Sequence, residues 1–186
     1  HKRTIFVPNT LPGDQIEAKV THKKKGVFYG KISKLIRPSS IRKSSSCSHF
    51  PTCGGCQFRD VSYQDQLTLK KGMLEDCFQQ FYPEILSSLQ PIIPAKESNY
   101  YRNKMEFSFG SNGDDVYLGL KQRGSYDSVI PIDHCFLMSA RINEILHSIS
   151  LFSTQKKTST WDYTLHKGLL RHLTVKHSKT HDRYMI

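Results

Sequence analysis

No apolar stretch in this 186-residue sequence approaches the roughly 18 residues that a membrane-spanning helix needs. The opening run His1-Lys2-Arg3-Thr4-Ile5-Phe6-Val7-Pro8 lacks the charged, apolar and small-residue zones of a secretory signal. Those two absences set aside the membrane and secreted classes and leave the cytoplasm as the expected compartment. No internal repeat is present. Acidic residues are scarce at the start: Asp14 and Glu17 are the two within residues 1–46, against eleven Lys and Arg. Hydrophobic residues make up 37% and aromatics 11%, enough to build a core, which excludes wholesale disorder.

The net charge of +11 is unevenly placed. Residues 1–46 carry +9 of it, while the remaining 140 hold sixteen basic and fourteen acidic side chains. A Lys-rich surface can serve solubility alone. Clustering in a quarter of the chain, with a pI near 9.5, points instead to a polyanion, and nucleic acid is the expected partner.

Periodicity predicts an α+β chain. Leu11-Pro12-Gly13-Asp14 reads as a turn, Ile16, Ala18 and Val20 then alternate with charged residues, and a second alternating run extends from Val27 to Ile36. Two short strands joined by Lys23-Lys24-Lys25-Gly26 suit a small β-barrel of the oligonucleotide-binding type over residues 1–40. Pro38-Ser39-Ser40 and Ser44-Ser45-Ser46 read as a polar linker. Residues 47–186 then read as a mixed α/β domain with antiparallel strands. Ser62 and Asp65 announce a helix whose apolar face carries Leu67, Leu74, Cys77, Phe78 and Phe81, with Pro83 after its end. Met105, Phe107 and Phe109 alternate into the turn 111–115, and Val116, Leu118 and Leu120 alternate back out as a hairpin. Val129–Ile132 predicts a strand, Ser139 a cap for a helix through Ile149, Leu169–Val175 another strand, and Tyr184–Ile186 the start of one more. Both ends read as interior to a longer chain.

Five cysteines are present. Cys47-x5-Cys53-x2-Cys56 brings three thiols within ten residues around Gly54-Gly55, which lets the backbone close tightly on an ion. Cys135 is the best candidate for a fourth ligand, and His49 or His134 could replace one thiol in a zinc site. Four thiolates suit either structural zinc or an iron–sulfur cluster, and spacing alone leaves the two open. Cys77 is expected in the core. A redox sensor fits less well, because the thiols form a ligand set better than an exposed reactive pair.

Val7-Pro8, Leu11-Pro12-Gly13-Asp14, Lys23-Lys24-Lys25, Cys47-x5-Cys53-Gly54-Gly55-Cys56-Gln57, Tyr63-x2-Gln66-Leu67-x2-Lys70, Tyr101-Arg102-Asn103-Lys104-Met105-Glu106-Phe107, Leu118-Gly119-Leu120 and Leu170-Arg171-His172-Leu173 occur in one order. Together they resemble the bacterial 23S rRNA (uracil-5-)-methyltransferases, the RumA-like branch of the RumA/TrmA family, over nearly the whole chain. The resemblance implies a TRAM barrel lacking its first strand at 1–40 and a central RNA-recognition domain at 47–186. It implies a [4Fe-4S] cluster on Cys47, Cys53, Cys56 and Cys135, and ribosomal RNA rather than tRNA as substrate, because the tRNA-modifying relatives lack this cysteine set; a monomer is the expected state.

The chemistry so implied is methyl transfer from S-adenosylmethionine to C5 of a uridine, with a cysteine adding to C6 and the base flipped out of its stack. The glycine-rich cofactor loop and the nucleophilic Cys beside Asn-Pro that those steps require are absent from the sequence. S-adenosylmethionine is therefore expected on a further domain, and this chain alone is expected to be non-catalytic. Lys23, Lys24, Lys25 and Lys31 are the expected phosphate contacts, and Arg102 and Lys104 are expected to reach RNA or line a target-base pocket; exposed charges on a loop or strand would look the same in sequence. The alternative function is a free-standing RNA-binding module stabilised by a structural zinc site of four cysteines.

Overall fold

The computed structural model describes residues 3–186. It divides into two units, one holding the chain up to Ser45 with Gln57–Ile92, the other Ser46–Cys56 with Ile93–Ile186. The fold is mixed α+β.

In the first unit, β1 (Ile5–Phe6), β2 (Gln15–Lys24) and β3 (Val27–Arg37) form a sheet in the order β1-β3-β2, with β1 parallel and β2 antiparallel to β3. Lys25 and Gly26, at φ 49° and 83°, make the two-residue turn that joins β2 to β3 with Lys24 opposite Val27. Two left-handed residues in succession suit a tight hairpin, because their twist matches that of the flanking strands. Three register shifts bend the pair.

The stretch after β3, expected as a polar linker, is held by specific contacts. Asp14 Oδ1 accepts from the Ser39 amide at 2.8 Å, and Ser39 Oγ donates to the Pro12 carbonyl at 2.6 Å. Arg42 forms ion pairs with both Asp14 and Asp60, whose side chains are almost wholly buried. The polar composition here satisfies buried groups rather than solvating a tether.

α1 (Tyr63–Phe81) follows the sequence signals closely: the Ser62 side chain accepts from the Asp65 amide, and Pro83 opens a 3₁₀ turn after the helix ends. Its apolar face is not buried. Met73, Leu74 and Phe81 are exposed, and so is Cys77, which overturns the expectation of a core thiol there. Helical spacing identifies the stripe but says nothing of what covers it.

The second unit is a five-stranded sheet in the order β6-β5-β4-β7-β8, backed by one helix. The strands are β4 (Lys104–Asn112), β5 (Asp115–Lys121), β6 (Val129–Pro131), β7 (His172–Ser178) and β8 (Arg183–Met185), and α2 spans Ile142–Gln155. Alternation sends Phe107, Phe109, Leu118 and Val175 to one face, where they meet Met138, Ile142 and Leu146. Each such side chain contributes about 1.5–3 kcal/mol on leaving water. Where β6 no longer covers β5, α2 takes over: the Val116 amide donates to Thr154 Oγ1 at 2.8 Å and the Leu118 amide to Ser150 Oγ at 3.1 Å.

Ser139 does not cap α2 with its side chain. Its carbonyl accepts from the Ile142 amide, while its hydroxyl accepts from Tyr184 Oη at 2.7 Å. β7 starts at His172, three residues later than the apolar pattern suggests, because Leu169 is exposed and Leu170 makes an isolated bridge to Thr160.

Candidate metal centre and nucleic-acid interface

Cys47, Cys53, Cys56 and Cys135 all belong to the second unit. Cys53 and Cys135 sit in its hydrophobic core, and Cys56 packs against that core. Burial pushes the Cys135 thiol up, and charge at Cys53 and Cys47 pushes it further, so all three lie within electrostatic reach. Burial likewise raises Cys53.

The loop carrying three of these thiols docks on the end of β5. The Gly54 amide donates to the Lys121 carbonyl at 2.9 Å, and a Cβ on Gly54 would stand 2.9 Å from that same oxygen. The close approach of the β5 backbone favours glycine there. The Gly55 amide donates to Cys53 Sγ at 3.3 Å. Arg123, which no motif in the sequence marks, closes the loop: its guanidinium donates to the carbonyls of Pro51 at 3.1 Å, Cys53 at 3.4 Å, and Cys56. On the other side, Asn143 Oδ1 in the first turn of α2 accepts from the Cys135 amide at 3.2 Å.

This donor set fits a metal group. Neighbouring buried thiolates repel one another and are costly in an apolar core unless a cation neutralises them. A single zinc with bonds of about 2.3 Å would gather its four sulfurs to roughly 3.8 Å of one another. Among the described residues, the three side chains whose ligating atoms close to within 4.8 Å are Cys47, His49 and His134, not three of the thiols.

The expected RNA contacts fall on both units. Lys23, Lys24, Lys25 and Lys31 are exposed. Lys23 Nζ lies 5.2 Å from the Phe28 ring centre. Lys31 stands opposite Lys19 across β2 and β3. Tyr29, two residues before Lys31 on the same strand, stacks on His22 with ring centres 4.7 Å apart and on Phe6 at 5.8 Å. Phe6 is 55% exposed, so aromatic faces and lysines share accessible surface.

In the second unit Lys104 is exposed at the start of β4 and Arg102 half-buried before it. The Arg102 amide donates to the Leu137 carbonyl at 2.8 Å and that of Tyr100 to the Phe136 carbonyl at 2.6 Å. The Tyr-Arg-Asn-Lys segment therefore runs alongside the turn that presents Cys135. A cleft of about 720 Å³ opens on the sheet, lined in part by Tyr117, Trp161 and Tyr163. Arg171 lies over Trp161 at 5.1 Å and over Tyr163 at 5.8 Å, and Lys121 Nζ stands 3.4 Å from the Tyr163 ring centre. Trp161 and Tyr163 were not distinguishable in sequence from core residues, because they come from a loop without periodicity.

No protein-family model matches the chain. It is 28% identical to an uncharacterized RNA methyltransferase of Halalkalibacterium halodurans over 98% of this chain and 40% of that protein. It is 33% identical to one of Nanoarchaeum equitans over 98% of this chain and 38% of that protein. The chain thus spans about two fifths of the length of the curated relatives it matches. The crystal structure of Pyrococcus abyssi tRNA (uracil-54, C5)-methyltransferase, in complex with S-adenosyl-L-homocysteine, superposes with a TM-score of 0.73 at 25% identity, covering 97% of this chain and 40% of that one. No helix among the described residues is long and apolar enough to cross a membrane.

Proposed function

We propose that this chain is the RNA-recognition portion of an S-adenosylmethionine-dependent RNA uridine C5-methyltransferase, with a TRAM-like barrel at 1–40, a cysteine-cluster domain at 47–186, and the methyl donor held by a further domain. The similarity over 97% of the chain to a uracil C5-methyltransferase structure is the observation that carries this reading. Cys47, Cys53, Cys56 and Cys135 would hold a [4Fe-4S] cluster. A multi-iron core suits thiols spaced wider than a mononuclear site draws them. When bound, the cluster would offset part of the thiolate charge and tie loop 47–56 to the turn at 133–135; methyl transfer is redox-neutral, so that role is structural.

The chain's own residues bind and orient RNA. Lys19, Lys23, Lys24, Lys25 and Lys31 neutralise phosphates, while Phe6, Tyr29 and His22 offer base-stacking faces. Arg102 and Lys104 extend the basic surface on the second unit. Trp161 and Tyr163, backed by Arg171 and Lys121, form a cleft in which a splayed base can stack.

Ribosomal RNA is the proposed substrate, supported by the cysteine set. The neighbour named a tRNA methyltransferase supports tRNA as the second reading. Methylation of 23S rRNA and of tRNA transcripts by the protein with its cofactor domain, read as 5-methyluridine by mass spectrometry, separates them. Modified uridine in rRNA alone is the expected result. Product in tRNA alone selects the second reading, and product in neither overturns both. The proposed setting is cytoplasmic and the proposed state monomeric.

A further inference from the structure

Beside the four-thiolate set lies a second group of ligands that shares one member with it. Cys47, His49 and His134 bring a thiol and two imidazole nitrogens to within 4.8 Å of one another. The His49 side chain is 11% exposed. One carboxylate stands behind both rings: Asp133 Oδ1 is 2.8 Å from His49 Nε2 and 2.9 Å from His134 Nδ1. That leaves His49 Nδ1, which is 3.8 Å from Cys47 Sγ, and His134 Nε2 as the nitrogens free to ligate. A carboxylate fixing the far nitrogen of a histidine is the usual support of a metal-bound imidazole, since it sets the tautomer and raises basicity.

We infer that Cys47, His49 and His134 form a zinc site, oriented by Asp133, that competes with the iron–sulfur cluster for the Cys47 sulfur. One thiolate and two imidazoles are a borderline-soft set suited to zinc, and three protein ligands leave the fourth position to water. Binding releases the Cys47 thiol proton to solvent and takes both imidazoles neutral. Either metal ties the same loop to the same turn, and terminal ligation by one takes the Cys47 sulfur from the other. The inference rests on the cluster reading only for that competition; the zinc site itself stands on the three side chains.

The test uses protein purified anaerobically, then stripped of metal by chelator and reductant, with Zn²⁺ and the spectroscopic stand-in Co²⁺ as probes. One equivalent of Co²⁺ should bind with a thiolate charge-transfer band, and Zn²⁺ should displace it. His49→Gln with His134→Gln should lose at least about 100-fold in zinc affinity yet reconstitute iron and acid-labile sulfide normally. Asp133→Asn should weaken zinc by about 10–100-fold. Cys53→Ser should keep zinc and lose the cluster. Because Cys53→Ser is a core change and can fail to fold, the histidine pair in the otherwise unaltered protein is the deciding variant. Zinc binding unchanged in that variant, or no zinc bound by stripped protein that is folded by circular dichroism, overturns the inference. Protein that binds zinc through the histidines but never takes up iron and sulfide overturns the cluster reading instead and leaves the zinc site standing.

Discussion

Lys104 on β4 stands directly across from Lys176 on β7, two exposed ammonium groups paired in an antiparallel ladder. Like charges in that position oppose folding by a few tenths of a kcal/mol, so a pair of them fits a surface whose partner is anionic. The same arrangement recurs between Lys19 and Lys31 in the other sheet. Lys104→Gln should therefore raise stability slightly, by about 0.2–1 kcal/mol, while weakening RNA binding and reducing the slope of log affinity against log salt by about 0.7. Thermal melts and RNA titrations at several salt concentrations check both signs; a loss of stability together with unchanged RNA affinity would contradict the assignment.

The Asp14–Arg42 pair sets an acid limit on the first unit. The Arg42 guanidinium, helped by the Leu11 and Ser39 amides and opposed by burial, holds the Asp14 carboxyl at about 2, against 3.8 for a free side chain. A depressed folded value means stability that is fully present above pH 3.8 and drains away as pH falls toward 2, about 2 kcal/mol in all. Asp14→Asn should flatten that part of the stability profile, measured by denaturant unfolding across the acid range. Arg42→Met should cost more, about 3–5 kcal/mol, because it strands buried carboxylates at Asp14 and Asp60.

Arg123 answers three carbonyls of the cysteine loop at once. Arg123→Ala should lower the melting temperature of the second unit and speed loss of bound metal, with a cost of at least about 2 kcal/mol from stranded acceptors. Arg123→Lys should recover little, since a single ammonium cannot span the fork. Metal retention during dialysis, followed by absorbance, is the readout.

Trp161 should contribute affinity without folding energy of comparable size. Trp161→Ala is expected to weaken RNA binding by about 1–3 kcal/mol, with a smaller effect of salt than any lysine variant, because stacking is not a counterion effect. Titration of a uridine-containing single strand at two salt concentrations distinguishes the two.

Local chemistry was legible in the sequence. Alternation from Met105 to Leu120 across 111–115 dictates a hairpin, and Ser62, Asp65 and Pro83 dictate where α1 begins and ends, because those signals act between residues a few positions apart. The charge gradient and the Cys47–Cys56 spacing are signals of the same local kind, and the proposed RNA contacts and metal rest on them. Tertiary structure alone decided what lies between distant segments: that Cys77 faces solvent, that the Ser139 hydroxyl answers Tyr184 rather than an α2 amide, and that Arg42 and Arg123 each bind partners many residues away. It alone set His49 and His134 about one Asp133 carboxylate. Periodicity records which side of an element is apolar; which other element meets that side is settled only when the whole chain packs.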